Sequence, residues 1–232
     1  MRGLDPSDLL EVADHGHDAD WIGRGLLLVA CAWPDASPQQ RGELPIGARD
    51  RLVMALRIHT FGPTIELVAR CVHCGADLEA TVDLTEVLAA HRAMPPEEIS
   101  VEVDGTVVTV RNPTSTDVQE AIASGPDDVE TALLDRCLGS GAGWAEARAA
   151  AARALAEADP LADLRFELRC EVCGEGSSAP FDIVSSFWTE IETGAGRMVR
   201  EVHDLARVYG WSEADILAMP GSRRARYLAM IR

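Results

Sequence analysis

The residues best suited to chemistry in this chain are two cysteine pairs with matching surroundings. One is Arg70-Cys71-Val72-His73-Cys74-Gly75 and the other is Arg169-Cys170-Glu171-Val172-Cys173-Gly174. An offset of 99 positions superimposes them, and the same offset brings Asp83 onto Asp182. Two thiolates separated by two residues can take neighbouring corners of one metal ion's tetrahedron. A glycine just after the second cysteine allows the positive φ that the turn needs and lets backbone N–H groups face the sulfurs. One such knuckle offers two ligands. Two offer four, which closes an all-cysteine zinc site with no open position, and such a site is structural, not catalytic. Zinc held in this way contributes on the order of 10 kcal/mol to folding. Cys71, Cys74, Cys170 and Cys173 are the candidate ligands of one structural Zn2+. The gap is the difficulty, because 95 residues lie between Cys74 and Cys170 where a ribbon has roughly 15–20. A shared site therefore requires an insertion between two halves of one ribbon. Empty or oxidised thiols, and separate sites completed by another chain, are the alternatives. A redox role fits less well, since each pair leads into another strand and not into a helix.

The other chemical candidates are weaker. Cys31 and Cys137 lie alone in apolar helical stretches and fit core packing. His73 could replace a lost ligand, but the cysteines already suffice. His15-Gly16-His17, beside Asp14 and Asp18, could chelate a metal but fits a solvated loop better, and His59, His91 and His203 are isolated. There is no glycine-rich phosphate loop, no serine nucleophile elbow and no His-Glu-x-x-His. With 38 acidic residues some carboxylate pair is inevitable, so proximity of two in sequence argues nothing for acid–base catalysis. No enzymatic activity is expected.

The pattern around these residues predicts helices over 7–13, 20–33 and about 44–60. The second is apolar nearly all round and should lie in the core. Strands over 65–70 and 79–84 flank the first knuckle. Alternation around Asp104-Gly105 predicts a hairpin over 100–110. Helices follow over 116–124, 127–138 and 143–158, the last an alanine-rich peripheral helix or spacer beyond a flexible joint at 139–143. Strands over 164–169 and 179–183 flank the second knuckle. An amphipathic helix over 184–209 has a weak point at Gly194-Ala195-Gly196. Ser212 starts another helix, and a basic one runs from Ser222 to Arg232.

The fold class expected is α+β. A split zinc-ribbon-like unit (64–84 and 164–184) is interrupted by a hairpin-plus-helices insertion (85–163). It is flanked by a helical N-terminal segment (1–63) and a helical C-terminal segment (185–232). The 232 residues suffice for a sizeable core. The formal net charge is −17, which repels nucleic acid and makes nonspecific binding to it unlikely. All 21 basic residues are arginine. The longest apolar run, Gly25 to Trp33, is about half of what a bilayer needs, so no membrane association is expected. The N-terminus lacks a signal-peptide pattern, so a cytoplasmic, reducing setting is expected, favouring thiols or metal ligands over disulfides. From Arg197 to Arg232 seven arginines face four acidic residues, about +3, leaving about −20 for the rest. Trp211, Arg223, Arg224, Arg226 and Tyr227 from this region are candidate partner-binding residues. The bland alternative is a solvated helix end with its aromatics in the core.

Several blocks together resemble the phage baseplate hub assembly chaperone family of contractile-tailed phages and related contractile injection systems. They include Leu44-Pro45-Ile46-Gly47-Ala48-Arg49-Asp50, Thr60-Phe61-Gly62-Pro63 and the first knuckle. Val110-Arg111-Asn112-Pro113-Thr114-Ser115-Thr116-Asp117, Leu133-Leu134-Asp135-Arg136-Cys137 and the second knuckle follow. The tail blocks are Phe187-Trp188-Thr189-Glu190-Ile191, Leu205 to Glu213 with its Tyr209-Gly210-Trp211-Ser212 core, and Ile216 to Pro220 before Arg223 and Arg224. The resemblance implies an assembly chaperone or structural part of a baseplate, without catalysis. It implies hub, spike or tube proteins as partners, in the cytoplasm or within an assembled particle. The competing class is a zinc-ribbon nucleic-acid-binding or regulatory protein that uses the arginine-rich tail.

Overall fold

Short polar caps start the helices of the N-terminal segment. In α1 (Pro6–His15), Asp5 accepts the N–H groups of Ser7 and Asp8, and the Asp8 side chain answers the Asp5 backbone. In α2 (Trp21–Ala32), Asp20 accepts the Gly23 N–H. Sequence periodicity passed over α3 (Pro38–Gly42), five residues held by a Ser37–Gln40 capping box. α4 (Ile46–Phe61) stops at Gly62, whose φ of +91° a side chain would resist. The computed structural model describes residues 1–125, 128–139 and 143–231.

The first knuckle sits at the tip of a hairpin, β1 (Thr64–Arg70) with β2 (Asp77–Asp83). α5 (Leu84–Ala90), unanticipated from the sequence, follows at once because Asp83 caps it. The second hairpin, β3 (Glu98–Val103) with β4 (Thr106–Arg111), turns where Asp104-Gly105 predicted. Both turn residues have positive φ, +49° and +77°, which matches the twist of the strands. Then come α6 (Ser115–Ala123), α7 (Val129–Cys137) and α8 (Ala145–Ala158). α8 packs onto the hairpin and is not a free spacer. Its buried Ala147, Ala150 and Ala151 let it lie close to Val108 and Val110, forming a small core with Cys137 and Leu138. The expected helix start at Asp127, the middle of the joint (140–142) and Arg232 lie outside the described residues.

The third hairpin pairs β5 (Arg165–Arg169) with β6 (Gly176–Pro180). Its second strand starts earlier than expected, because pairing begins straight after the knuckle and Asp182 is taken as the cap of α9 (Ile183–Tyr209). α9 runs unbroken through Gly194-Ala195-Gly196, where Gly194 and Ala195 are buried and Gly194 faces Phe61. Gly210, with φ of +68°, ends it, and α10 (Glu213–Leu217) and α11 (Gly221–Met230) fold back on it. Among the described residues the sheets are three separate two-stranded ladders.

One main core gathers Leu28 and Val29 of α2, Val53, Met54 and Leu56 of α4, Ile65, Leu67, Leu84, and Phe187, Trp188 and Ile191 of α9. Gly16 is needed here, since a Cβ would enter the Trp188 ring. Arg57 forks onto Glu190 at 2.6 and 2.9 Å, tying α4 to α9. α2 is less enclosed than its composition suggested. Ile22, Leu28 and Val29 are buried, but Leu27, Ala30 and Cys31 are half-buried, and Trp21 and Trp33 are exposed.

The insertion is joined to the helical body along a polar seam. Two blocks named above meet there: Pro45 bridges to Thr114, and the Ile46 N–H donates to the Pro113 carbonyl at 3.0 Å. α4 has no side-chain cap of its own. Instead the Gly47 N–H donates to Asp159, the residue after α8, at 2.9 Å. A Cβ on Gly47 would overlap that carboxylate. Arg111 donates to both Asp117 oxygens at 2.6 Å and thereby fixes the β4–α6 turn.

Candidate metal centre

Each knuckle is built by the same backbone hydrogen bonds. The Cys71 N–H donates to the Ala76 carbonyl at 2.8 Å and the Gly75 N–H to the Cys71 carbonyl at 2.9 Å. In the other knuckle the Cys170 N–H donates to Glu175 and the Gly174 N–H to Cys170, both at 2.9 Å. Gly75 and Gly174 have φ of +75° and +76°, and a Cβ at either would meet nothing within 4 Å. Glycine is required there for its backbone conformation alone.

The two knuckles meet despite their separation in sequence. All four sulfurs lie within 4.8 Å of one another. The hydrogen-bonded contacts run across the hairpins, Cys71 Sγ to Cys173 Sγ at 3.7 Å and Cys74 Sγ to Cys170 Sγ at 3.6 Å. These lengths are too long for disulfides. They fit the edges of a tetrahedron whose centre is ~2.3 Å from each sulfur, roughly 3.8 Å. Cys71 and Cys170 are buried against Leu78, while Cys74 and Cys173 are exposed. Each hairpin thus contributes one inner and one outer sulfur.

The four thiols do not share one electrostatic environment. The backbone N–H of Cys74, the Ser177 hydroxyl and the His73 N–H draw the Cys71 thiol down to about 6. Ser177 sits 3.6 Å from that sulfur. At Cys173 the Glu175 N–H also lowers the thiol, but partial desolvation and the hydrogen bonds shared with Cys170, Cys71 and Cys74 outweigh it and push the thiol up to about 12. The hydrogen bonds thus favour the thiolate at Cys71 and the neutral thiol at Cys173. A divalent cation favours the thiolate at every sulfur that ligates it. The donor set fits a soft, tetrahedral metal of the zinc class.

His73 points out at the knuckle surface, exposed. The His15–His17 loop forms no metal cluster among the described residues. Cys137 is buried and burial pushes its thiol up to about 11, and burial raises Cys31 as well.

The tail residues separate into two groups. Trp211 stacks on Tyr209 at 4.5 Å and meets Tyr227 edge-on at 4.8 Å. With Leu205, Ile216 and Leu228 they form the core that pins α10 and α11 to α9. Arg224 is buried, donating to Glu201 at 3.1 Å and to the Met219 carbonyl at 2.6 Å. Arg223 and Arg226 are exposed. Of the five tail candidates, Arg224 is buried, Trp211 and Tyr227 pack within the tail but stay half-buried, and Arg223 and Arg226 are exposed. Sequence reading had no signal to separate Arg224 from its neighbours, since only the fold-back onto α9 does so.

No helix among the described residues is long and apolar enough to cross a membrane. No curated protein and no solved structure is significantly similar to the chain. Residues 26–140, just under half of the chain, match the model of a family described as T4 bacteriophage base plate protein. That stretch holds the first knuckle and both sides of the Pro45–Thr114 bridge, and over it the chain is similar to a phage baseplate protein.

Proposed function

We propose that the chain is a non-enzymatic assembly chaperone or structural adaptor of a contractile-tail baseplate hub, built around one structural zinc ion. The match of residues 26–140 to a baseplate family carries this reading. The four-sulfur cluster supports its metal half. Cys71, Cys74, Cys170 and Cys173 would hold the ion, which supplies the positive charge that lets all four sulfurs stay ionised. The chain's own residues do the rest. The Cys74 N–H and the Ser177 hydroxyl orient the Cys71 sulfur. The glycines close the turns, and the joined hairpins hold the insertion and the helical body as one scaffold. Hub, spike or tube proteins of the same assembly are its partners.

The test is a tagged copy in the native host, with free lysate separated from assembled particles and co-purifying chains identified by mass spectrometry. Hub, spike or tube proteins in the free pool alone would establish a chaperone. The same proteins inside particles would establish a baseplate component. Recovery with neither would overturn the proposal.

A further inference from the structure

We infer that the C-terminal helix of one copy docks into a groove between α1 and α2 of another, so that the chain assembles head to tail. The groove has a volume of about 680 Å³, which suits several side chains. Its floor is the half-covered face of α2, Leu27, Ala30 and Cys31, a stripe at helical spacing continued by Pro34. Its other wall is the Asp8, Glu11, Val12 and His15 face of α1. An apolar floor between two helices accepts an amphipathic helix laid along it.

The rim sets the sign of the occupant. Met1 and Arg2 also line the groove and Arg2 is paired with Asp5 and Asp8, whereas Glu11 and Asp35 are exposed and have no ion-pair partner among the described residues. The complementary surface lies on the same chain. α11 turns Arg224 and Leu228 inward against α9 and presents Arg223, Arg226 and Met230 outward at one-turn spacing. Neither outward arginine has an ion-pair partner among the described residues, and Met230 is 73% exposed. Two unpaired cations and an apolar side chain thus match two unpaired carboxylates over an apolar floor. The two surfaces are different patches, so the contact is heterologous, and repetition builds a ring if the rotation closes and a chain if it does not.

The test uses the metal-loaded 232-residue chain alone, which separates it from the fate of the baseplate proposal. Mass is measured by sedimentation velocity from micromolar concentration upward, in low and high salt. Wild type should reach at least twice the 25.0 kDa monomer in low salt and fall back in high salt. The double variants R223E/R226E and E11R/D35R should each stay monomeric with an unchanged circular-dichroism spectrum. Mixed one to one, they should assemble again, since each reversed surface then meets its complement. A wild type that stays monomeric at every concentration in low salt would overturn the inference. So would assembly that both reversals leave intact, or variants that fail to recover on mixing.

Discussion

At the scale of single residues, the cysteines and glycines carry the sharpest consequences. Cys71→Ser and Cys170→Ser should each reduce bound zinc from about one ion per chain to near zero, measured by atomic emission on protein purified without chelator. Cys137→Ser should leave it unchanged. Full loss in one knuckle with retention in the other would mean two sites and not one. Gly47 and Gly196 make opposite predictions in a single denaturation assay. Gly47→Ala drives a methyl into the Asp159 carboxylate and should cost about 1–3 kcal/mol. Gly196→Ala lies inside α9 with nothing within 4 Å of its Cβ, and should stabilise by roughly 0.5–1 kcal/mol. Asp50 gives a pH signature. Burial, opposed by Arg49, pushes its carboxyl up to about 6. Its folded pKa lies above its unfolded one, so the folded state binds the extra proton between them. This residue's contribution to stability therefore grows as pH falls from above 6 towards 4. Asp50→Asn, still able to accept from Arg49, should show a shallower rise in stability over that window.

At the scale of elements, the tail has a small core of its own. α10 and α11 are held to α9 by the buried Leu205, Ile216 and Leu228, by the Tyr209–Trp211–Tyr227 cluster packed on them, and by Arg224. Trp211→Ala should abolish hydrogen-exchange protection across α10 and α11 while α2 and α4 keep theirs. Most elements were legible in the sequence because local chemistry fixes them. Asp104-Gly105 announced a hairpin, and Ser212 announced the start of a helix. α3 and α5 escaped notice because each is barely more than a turn or two and has no room for a periodic stripe. The candidate site was legible too, down to the four cysteines, since an exact 99-residue repeat is a strong signal. Long-range pairings were not. Nothing local in α4 says that Asp159 will cap it, and nothing in the tail distinguishes the inward Arg224 from the outward Arg223.

At the scale of the molecule, three things join parts far apart in sequence: the main core, the seam around Gly47, and the sulfur cluster. Metal removal should therefore loosen the hairpin tips first and leave the helical core assembled. With a chelator, the melting temperature should fall, and near-ultraviolet circular dichroism from Trp188 should survive at moderate temperature. Complete loss of helical signal on chelation at room temperature would show that the ion supports the whole fold.

The split site also has a history within each molecule's own synthesis. Cys74 leaves the ribosome 96 residues ahead of Cys170, an interval of roughly 5–20 s at common elongation rates. Throughout it the first knuckle is a two-thiolate half-site, able to bind metal weakly or to be oxidised. All residues of the β3–β4 hairpin and of α6 to α8 are synthesised before the second knuckle. A folded insertion brings the two ends of that long loop together before the sulfurs meet, which removes most of the entropic cost of closing it. The insertion would then act as a spacer, and a metal bound by all four sulfurs would lock a geometry that the folded insertion had already brought close.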